Sequence, residues 1–368
     1  MNHDAVFRVD IADFHRQAET LFAALSAGDS DAQWRVKWEH PRFGGKTVDE
    51  VIAATPHLDL DDARLVVAQQ QSFETWADLV AFVDAVVKLG PVATFETAVE
   101  AVVSGDLATL QSMLREQPDL VRARSARQHH ATLLHYTAAN GVEGERQKTP
   151  PNAVAVTKAL LDAGAEVDAL ADMYDHKCTT MSLLVSSAHP HNAGLQIALA
   201  ETLLDRGAAL EGPGTNWQSA VTTALQFGYL ETARALARRE GAVLSTLPVA
   251  AGLGLLDDVK RLLPEAGALD RHTALALAAQ HGHVDVVRLL LDAGENPSRY
   301  NPEGFHDHST PLHQAVWADH LPVVRLLVER GARLDIRDTV YQGTPLGWAI
   351  HGERTRIADY LRERGAPR

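Results

Sequence analysis

The sequence predicts an all-α solenoid of about eight helix-pair units behind an N-terminal helical capping domain. Three observations carry this. Near the C-terminal end Thr310-Pro311-Leu312-His313-Gln314-Ala315 opens a short helical run, and the opening returns as Thr344-Pro345-Leu346, 34 residues later. Between them lies a second apolar stripe, Val323-Val324-Arg325-Leu326-Leu327, closed by Gly331-Ala332. Helix pairs of the same plan recur upstream as far as Thr94.

Each piece has a local reason. The Thr310 hydroxyl satisfies an orphan amide at the helix start, and Pro311 follows at the first helical position, where a lost N–H costs nothing. Leu312 and Ala315 share one face, and Ala315 is small enough to admit a neighbouring helix. Val324, Leu326 and Leu327 form the buried stripe of the second helix. Gly331 takes the left-handed conformation that ends it. The opening motif and its spacing, against a family period of about 33 residues, resemble ankyrin repeats. The resemblance covers 94–368 and is most specific in the last three units. It implies stacked helical hairpins whose tips and first helices line one concave face, with binding as that face's usual role.

The chain begins with a region outside the repeat. Ile11, Phe14, Ala18, Leu21, Phe22 and Leu25 recur at helical spacing up to Gly28. Trp34, Val36, Trp38 and the Pro41-Arg42-Phe43-Gly44-Gly45 turn suggest an irregular aromatic stretch. A helix is expected over 60–70, with Asp61 and Asp62 complementing its dipole. Ser72 is the expected N-cap of a further helix that turns Trp76, Leu79, Val80 and 82–87 inward. The run Asp62-Ala63-Arg64-Leu65-Val66-Val67-Ala68 followed by Ser72-Phe73-Glu74-Thr75-Trp76 resembles the helical leader of a bacterial ankyrin subfamily. A first repeat exposes its apolar face unless covered, so 1–90 is expected to be a cap and 91–368 the repeat domain.

The repeat units then follow in order. The first spans 94–116, with Gly105 between its halves; the second opens at Thr132-Leu133-Leu134-His135-Tyr136 and the third near Thr179. The fourth runs from Ser219 to Gly241-Ala242, and a short fifth from Leu247 to Gly267. The sixth opens at Thr273-Ala274-Leu275 and closes at Gly294; the seventh and eighth start at Thr310 and Thr344. Insertions at 141–151 and 187–194 interrupt the second and third units, and per-repeat insertions map to loops on one edge.

Composition narrows the partners. The net charge of −14 argues against a non-specific grip on nucleic acid or an anionic membrane. The single Cys178 excludes an internal disulfide and suits a reducing cytoplasm. The N-terminus lacks the apolar segment of a signal peptide, and no apolar run approaches the roughly 20 residues of a membrane span.

The residues expected on the concave face are His129, His130, His135, Tyr136, Arg146, Tyr174, His176, Trp217, His306, His308, Trp317, Tyr341 and Trp348. Aromatic rings and imidazoles are the chemistry of binding hot spots and of polar-ended pockets. His313 stands at the family's TPLH histidine, and His281 and His283 flank a turn glycine; structural roles are expected for all three. His306-Asp307-His308 lacks the further ligands of a zinc site, so no metal is expected. No nucleophile elbow, P-loop, dinucleotide fingerprint or zincin motif is present, and no cofactor is expected. A partner protein is the first expectation. The alternative is a small-molecule or catalytic pocket in units two to four, lidded by the two insertions.

Overall fold

A helical hairpin with one apolar stripe per helix buries those stripes only against a neighbour. The computed structural model, which describes residues 9–211, 219–240 and 246–367, satisfies that demand in two compact units, Met1–Gln218 and Ser219–Arg368. The chain is 62% helix and 2% strand, and the all-α class follows. Among the described residues no helix is long and apolar enough to cross a membrane. Trp217, residues 1–8 and the expected Gly241-Ala242 stop lie outside the described residues.

The first unit opens with five helices: α1 (Ile11–Ser26), α2 (Ser30–Glu39), α3 (Val48–Ala54), α4 (Leu60–Gln70) and α5 (Trp76–Val87). α4 joins two apolar clusters. Val67 packs with Phe14, Phe73, Leu79 and Phe82, and the adjacent Val66 with Leu21, Leu25, Val36 and Val51. The first cluster includes Ala93, which belongs to α6 (Pro91–Ser104) of the first repeat. The leading helices therefore share a core with the repeats. Three local expectations change. Of 82–87, expected inward, only Phe82, Val83 and Val86 are buried, and Val87 is 65% exposed. The aromatic stretch around Trp34 is helical, continued by a 3-10 turn Pro41–Phe43. The N-cap of α5 is Thr75, in a reciprocal capping box with Asp78. Ser72 has φ 58°, and a left-handed residue does not offer the extended geometry a cap needs.

From α6 onward, first helices pack on first helices: α6 on α8 (Leu133–Tyr136) and α8 on α10 (Thr180–Leu184). The second helices α7 (Leu107–Glu116), α9 (Ala153–Asp162) and α12 (Gln196–Leu204) stack likewise. The 187–194 insertion forms the short helix α11 (Ala188–Asn192). The tip between α9 and α10 is a hairpin of β1 (Ala171–Met173) and β2 (His176–Cys178). Its loop is Tyr174-Asp175, both at positive φ, as a type I′ turn requires.

The second unit contains α13 (Ala220–Gln226), α14 (Leu230–Glu240), α15 (Leu247–Leu253), α16 (Leu256–Leu262), α17 (Ala268–Gln280), α18 (Val284–Asp292), α19 (Pro311–Trp317), α20 (Leu321–Glu329), α21 (Pro345–His351) and α22 (Thr355–Glu363). One apolar cluster runs from Leu247 to Leu361 through Leu275, Val287, Leu312 and Val324. α19 and α21 start at their prolines, as expected. α17 instead begins at Ala268, five residues before the expected Thr273. Proline lacks an N–H and clashes with the preceding turn, so it admits only the start of a helix. Ala274 occupies that place in α17 and lets the helix run through, with the Thr273 hydroxyl donating to the Leu269 carbonyl at 2.9 Å.

The turns within these pairs are stapled across repeats. Gly254, Gly282, Asp319 and Glu353 are all left-handed, and the residue after three of them reaches back one repeat. His283 Nε2 donates to the Gly252 carbonyl at 2.9 Å, the His320 ring bonds the Gln280 backbone, and the Arg354 guanidinium donates twice to the Trp317 carbonyl. The His320 ring lies so close over Gly282 that a Cβ there would stand 2.7 Å from its Nδ1. Gly294 has a similar φ and nothing within 4 Å. Gly294→Ala therefore bears only the left-handed cost of about 1–2 kcal/mol. Gly282→Ala also displaces the staple and should lower the urea midpoint further, which paired denaturation curves will show.

Candidate functional site

The tips and first helices carry the candidate residues, and the two units use them differently. In the first unit most of them point inward. Arg127 and Arg146 are buried with Glu96 and Glu143, all at 2% exposure or less. Arg127 Nε pairs with Glu143, and its Nη1 donates to the Gln71 carbonyl at 2.6 Å, with the guanidinium over the Phe82 ring. Arg146 pairs with Glu96 at 2.5 Å and with Glu100 at 3.0 Å. His129 accepts the Ala131 N–H at Nδ1, so Nε2 carries the proton and donates to Glu143 at 3.2 Å. Burial works to raise the Glu143 pKa, but Arg127, the His129 bond and Arg146 bring it down to about 2. The Tyr136 phenol is held protonated by its burial and by Glu143 and Glu96.

The 141–151 insertion thus supplies Glu143 and Arg146 to the interior. It was expected to stand over a groove. A longer loop carries more polar groups, and here they bury as matched ion pairs, two carboxylates against two guanidiniums. His129, Tyr136 and Arg146 are therefore out of reach of a partner's surface.

His135 is also interior, for the reason expected of His313. Each accepts the N–H of its own helix-capping threonine at Nδ1, Thr132 at 3.1 Å and Thr310 at 3.3 Å. Nε2 then donates to the next tip, at Ala169 and Cys178 for His135 and at Gly343 for His313. His281 similarly donates to the Leu225 carbonyl at 2.8 Å. Burial, only partly opposed by these carbonyl bonds, lowers all three to about 4. The outward residues of this unit are His130, bonded to Asp172, His176, and Tyr174, whose hydroxyl donates to Asn140 at 2.6 Å. Cys178 is buried, and that burial pushes its thiol up to about 11.

In the second unit the candidates gather on one outward patch. Trp317 ends α19 at 47% exposure, and Tyr341 on the following tip is 57% exposed. Trp348 of α21 lies 6.0 Å from the Trp317 ring and 6.0 Å from the His308 ring. His351 stacks on Trp317, and His308 meets Tyr341 edge-on at 6.3 Å. His306 is the exception: its Nε2 donates inward to the Gln226 carbonyl at 2.8 Å.

A residue not among the sequence candidates holds this patch. Asp338, fully buried, accepts the N–H groups of Val340, Tyr341 and Gly343 and the indole N–H of Trp348 at 2.9 Å. One carboxylate therefore fixes both the tip and the central ring. The signal available in sequence was an aspartate opening a short loop before glycine, which is ordinary turn chemistry. The next tip is tied to the one before it by Thr339 N–H to the His308 carbonyl at 2.9 Å. Asp172 N–H to the His129 carbonyl, at 2.8 Å, does the same in the first unit. Among the described residues no group of three or more His, Cys, Asp or Glu is placed to hold a metal ion.

Comparison with known proteins agrees with this geometry. Residues 247–338 match the family model for ankyrin repeats in 3 copies, so ankyrin repeats are present in the chain. Ankyrin repeat and SAM domain-containing protein 6 of Mus musculus is 32% identical over 111 residues, 30% of this chain and 12% of that protein. B-cell lymphoma 3 protein of Homo sapiens is 37% identical over 115 residues, 30% of this chain and 23% of its own length. Ankyrin repeat and KH domain-containing protein mask-1 of Caenorhabditis elegans is 27% identical over 220 residues, 57% of this chain and 8% of that protein. The chain thus spans a minor part of each of these relatives.

Two outcomes follow for the buried groups. His135, His281 and His313 lie near 4 when folded and near 6.5 when unfolded. Their folded pKa values are depressed, so their contribution is complete above 6.5 and is lost as pH falls towards 4. Urea unfolding free energy should fall across that window by about 1.4 kcal/mol per pH unit for each histidine titrating, and His313→Gln should reduce the slope by one proton. Glu143→Leu strands Arg127 and should cost about 3–5 kcal/mol in the same assay.

Proposed function

We propose that the chain is an ankyrin-repeat binding protein that captures a partner protein on the tips and first helices of its second unit. The observation that carries this reading is the patch formed by Trp317, Tyr341, Trp348, His308 and His351. Two large rings stand exposed there, on a backbone tied down by Asp338 and by Arg354. Rigid aromatic side chains supply contact area with little ordering entropy to lose. Tryptophan and tyrosine are also the residues most enriched at interface hot spots. Repeats of this kind generally mediate protein contacts, which supports a protein as partner.

In this reading 1–90 is the helical cap that covers the first repeat, and 91–368 is the binding domain. His130, Tyr174 and His176 form a secondary contact on the first unit's hairpin tip. The acid excess of the chain favours a partner with a neutral or basic surface. A lone buried thiol suits the cytoplasm.

The reading is tested by selecting ligands from a phage-displayed random peptide library on the whole protein, then measuring each against Trp317→Ala/Tyr341→Ala. Affinity should fall by about thirtyfold or more if these rings are hot spots, with the circular dichroism melt unchanged. Selected peptides that bind the double variant as well as the wild type would overturn it.

A further inference from the structure

Away from the aromatic patch, the second helices α18, α20 and α22 pack side by side, and Arg288, Arg325 and Arg356 stand exposed on them in turn. All three line a single groove of about 510 Å³, with Leu321 and Leu326 in its apolar wall. Several other cations on or just after the second helices of this unit sit in ion pairs. Arg234 pairs with Glu231, Lys260 with Asp257, Arg330 with Asp292 and Arg362 with Asp359. Among the described residues the three groove arginines have no such partner, although Asp285 stands one turn from Arg288 and Asp359 one turn from Arg356. The guanidinium of Arg325 is set over the Tyr360 ring instead, 5.4 Å from its centroid, a contact that does not occupy its N–H donors.

We propose that this groove docks an acidic, extended peptide segment of another protein. Guanidinium forks match carboxylates in bidentate geometry. Neighbouring helix axes lie about 8–10 Å apart, so the three arginines are set out over roughly 20 Å. A small anion reaches one of them. A chain in the extended polyproline II conformation advances about 3.1 Å per residue with three residues per turn, so carboxylates at every third position share one face and meet the arginines in turn, and apolar side chains between them can lie against Leu321 and Leu326. Asp319 and Glu329 also line the groove. They reduce its net charge to a single positive and repel a polyanion charged at every unit, as RNA is.

The test is fluorescence polarisation on the full chain. The probes are a labelled Asp-Leu-Ala repeat peptide of about twelve residues, its Lys-Leu-Ala counterpart, a single-stranded RNA oligonucleotide and inorganic phosphate as competitor. The acidic peptide should bind, weaken with added salt, and lose about tenfold or more in affinity in Arg288→Ala/Arg325→Ala/Arg356→Ala. Trp317→Ala/Tyr341→Ala should leave it unchanged, which separates this site from the aromatic patch. If the triple variant melts early, Arg288→Ala/Arg356→Ala, which keeps the Tyr360 contact, should still show the loss. Equal binding of the acidic peptide to the variants would overturn the proposal. So would basic peptide or RNA binding as tightly as the acidic one, or displacement of the acidic peptide by millimolar phosphate.

Discussion

A neutral imidazole sealed beneath a tip is the contact on which the arrangement of this chain's surface depends. His135 and His313 each satisfy a backbone N–H at the start of their own helix and a carbonyl of the following tip. Both backbone groups are buried, and leaving either unmet would cost about 1–3 kcal/mol. The ring does this only while it has one donor and one acceptor nitrogen, that is, while uncharged. Burial enforces that state. The tips are then carried at a set angle to the first helices, and the bonds between neighbouring tips keep successive ones in line.

On that common frame the two units diverge in what they show to solvent. In the first, the tip residues Arg127 and His129 turn inward to meet Glu143, and the lengthened loop completes the pairing with Arg146. The result is a closed ionic core, stable only as a matched set. In the second, Asp338 accepts the tip's backbone groups, so the side chains of that tip are released outward. Tyr341 and His308 consequently join Trp317, Trp348 and His351 on one patch. Exposed aromatic rings collect where the tip is satisfied by its own carboxylate.

The outer surface of the same unit shows a further division of labour. Several of its second helices carry short-range ion pairs, which stabilise little at exposed positions. The three groove arginines stand outside that pattern, and the groove's apolar wall gives them a place where a partner's carboxylates can be partly desolvated. Aromatic and basic surfaces are thus formed by different helices of the same repeats.

Much of the fold was legible because its signals are local. Thr310-Pro311 and Thr344-Pro345 set helix starts through capping and a missing N–H, and turn glycines set reversals through positive φ. The apolar stripes state which faces are buried. Where a local signal is absent the structure departs from the pattern: Ala274 in place of proline lets α17 begin early, and Ser72 has the residue type of a cap but a left-handed backbone that is invisible in sequence. The site was legible only in part. Trp317, Tyr341, Trp348 and His308 lie together on α19, α21 and two tips, as residue type and register lead one to expect. His129, His135, Tyr136 and Arg146 have the same chemistry and the same register, yet point inward. Their direction is decided by Glu96, Glu143 and carbonyls from 14 to 50 residues away in the chain, and pairing at that distance exists only after the helices stack. The sequence by itself determined the repeat, its period and the kinds of side chain offered at each tip. Tertiary structure alone decided which of them are consumed in burying charge and which remain exposed, because desolvation cost depends on surroundings that no single repeat contains.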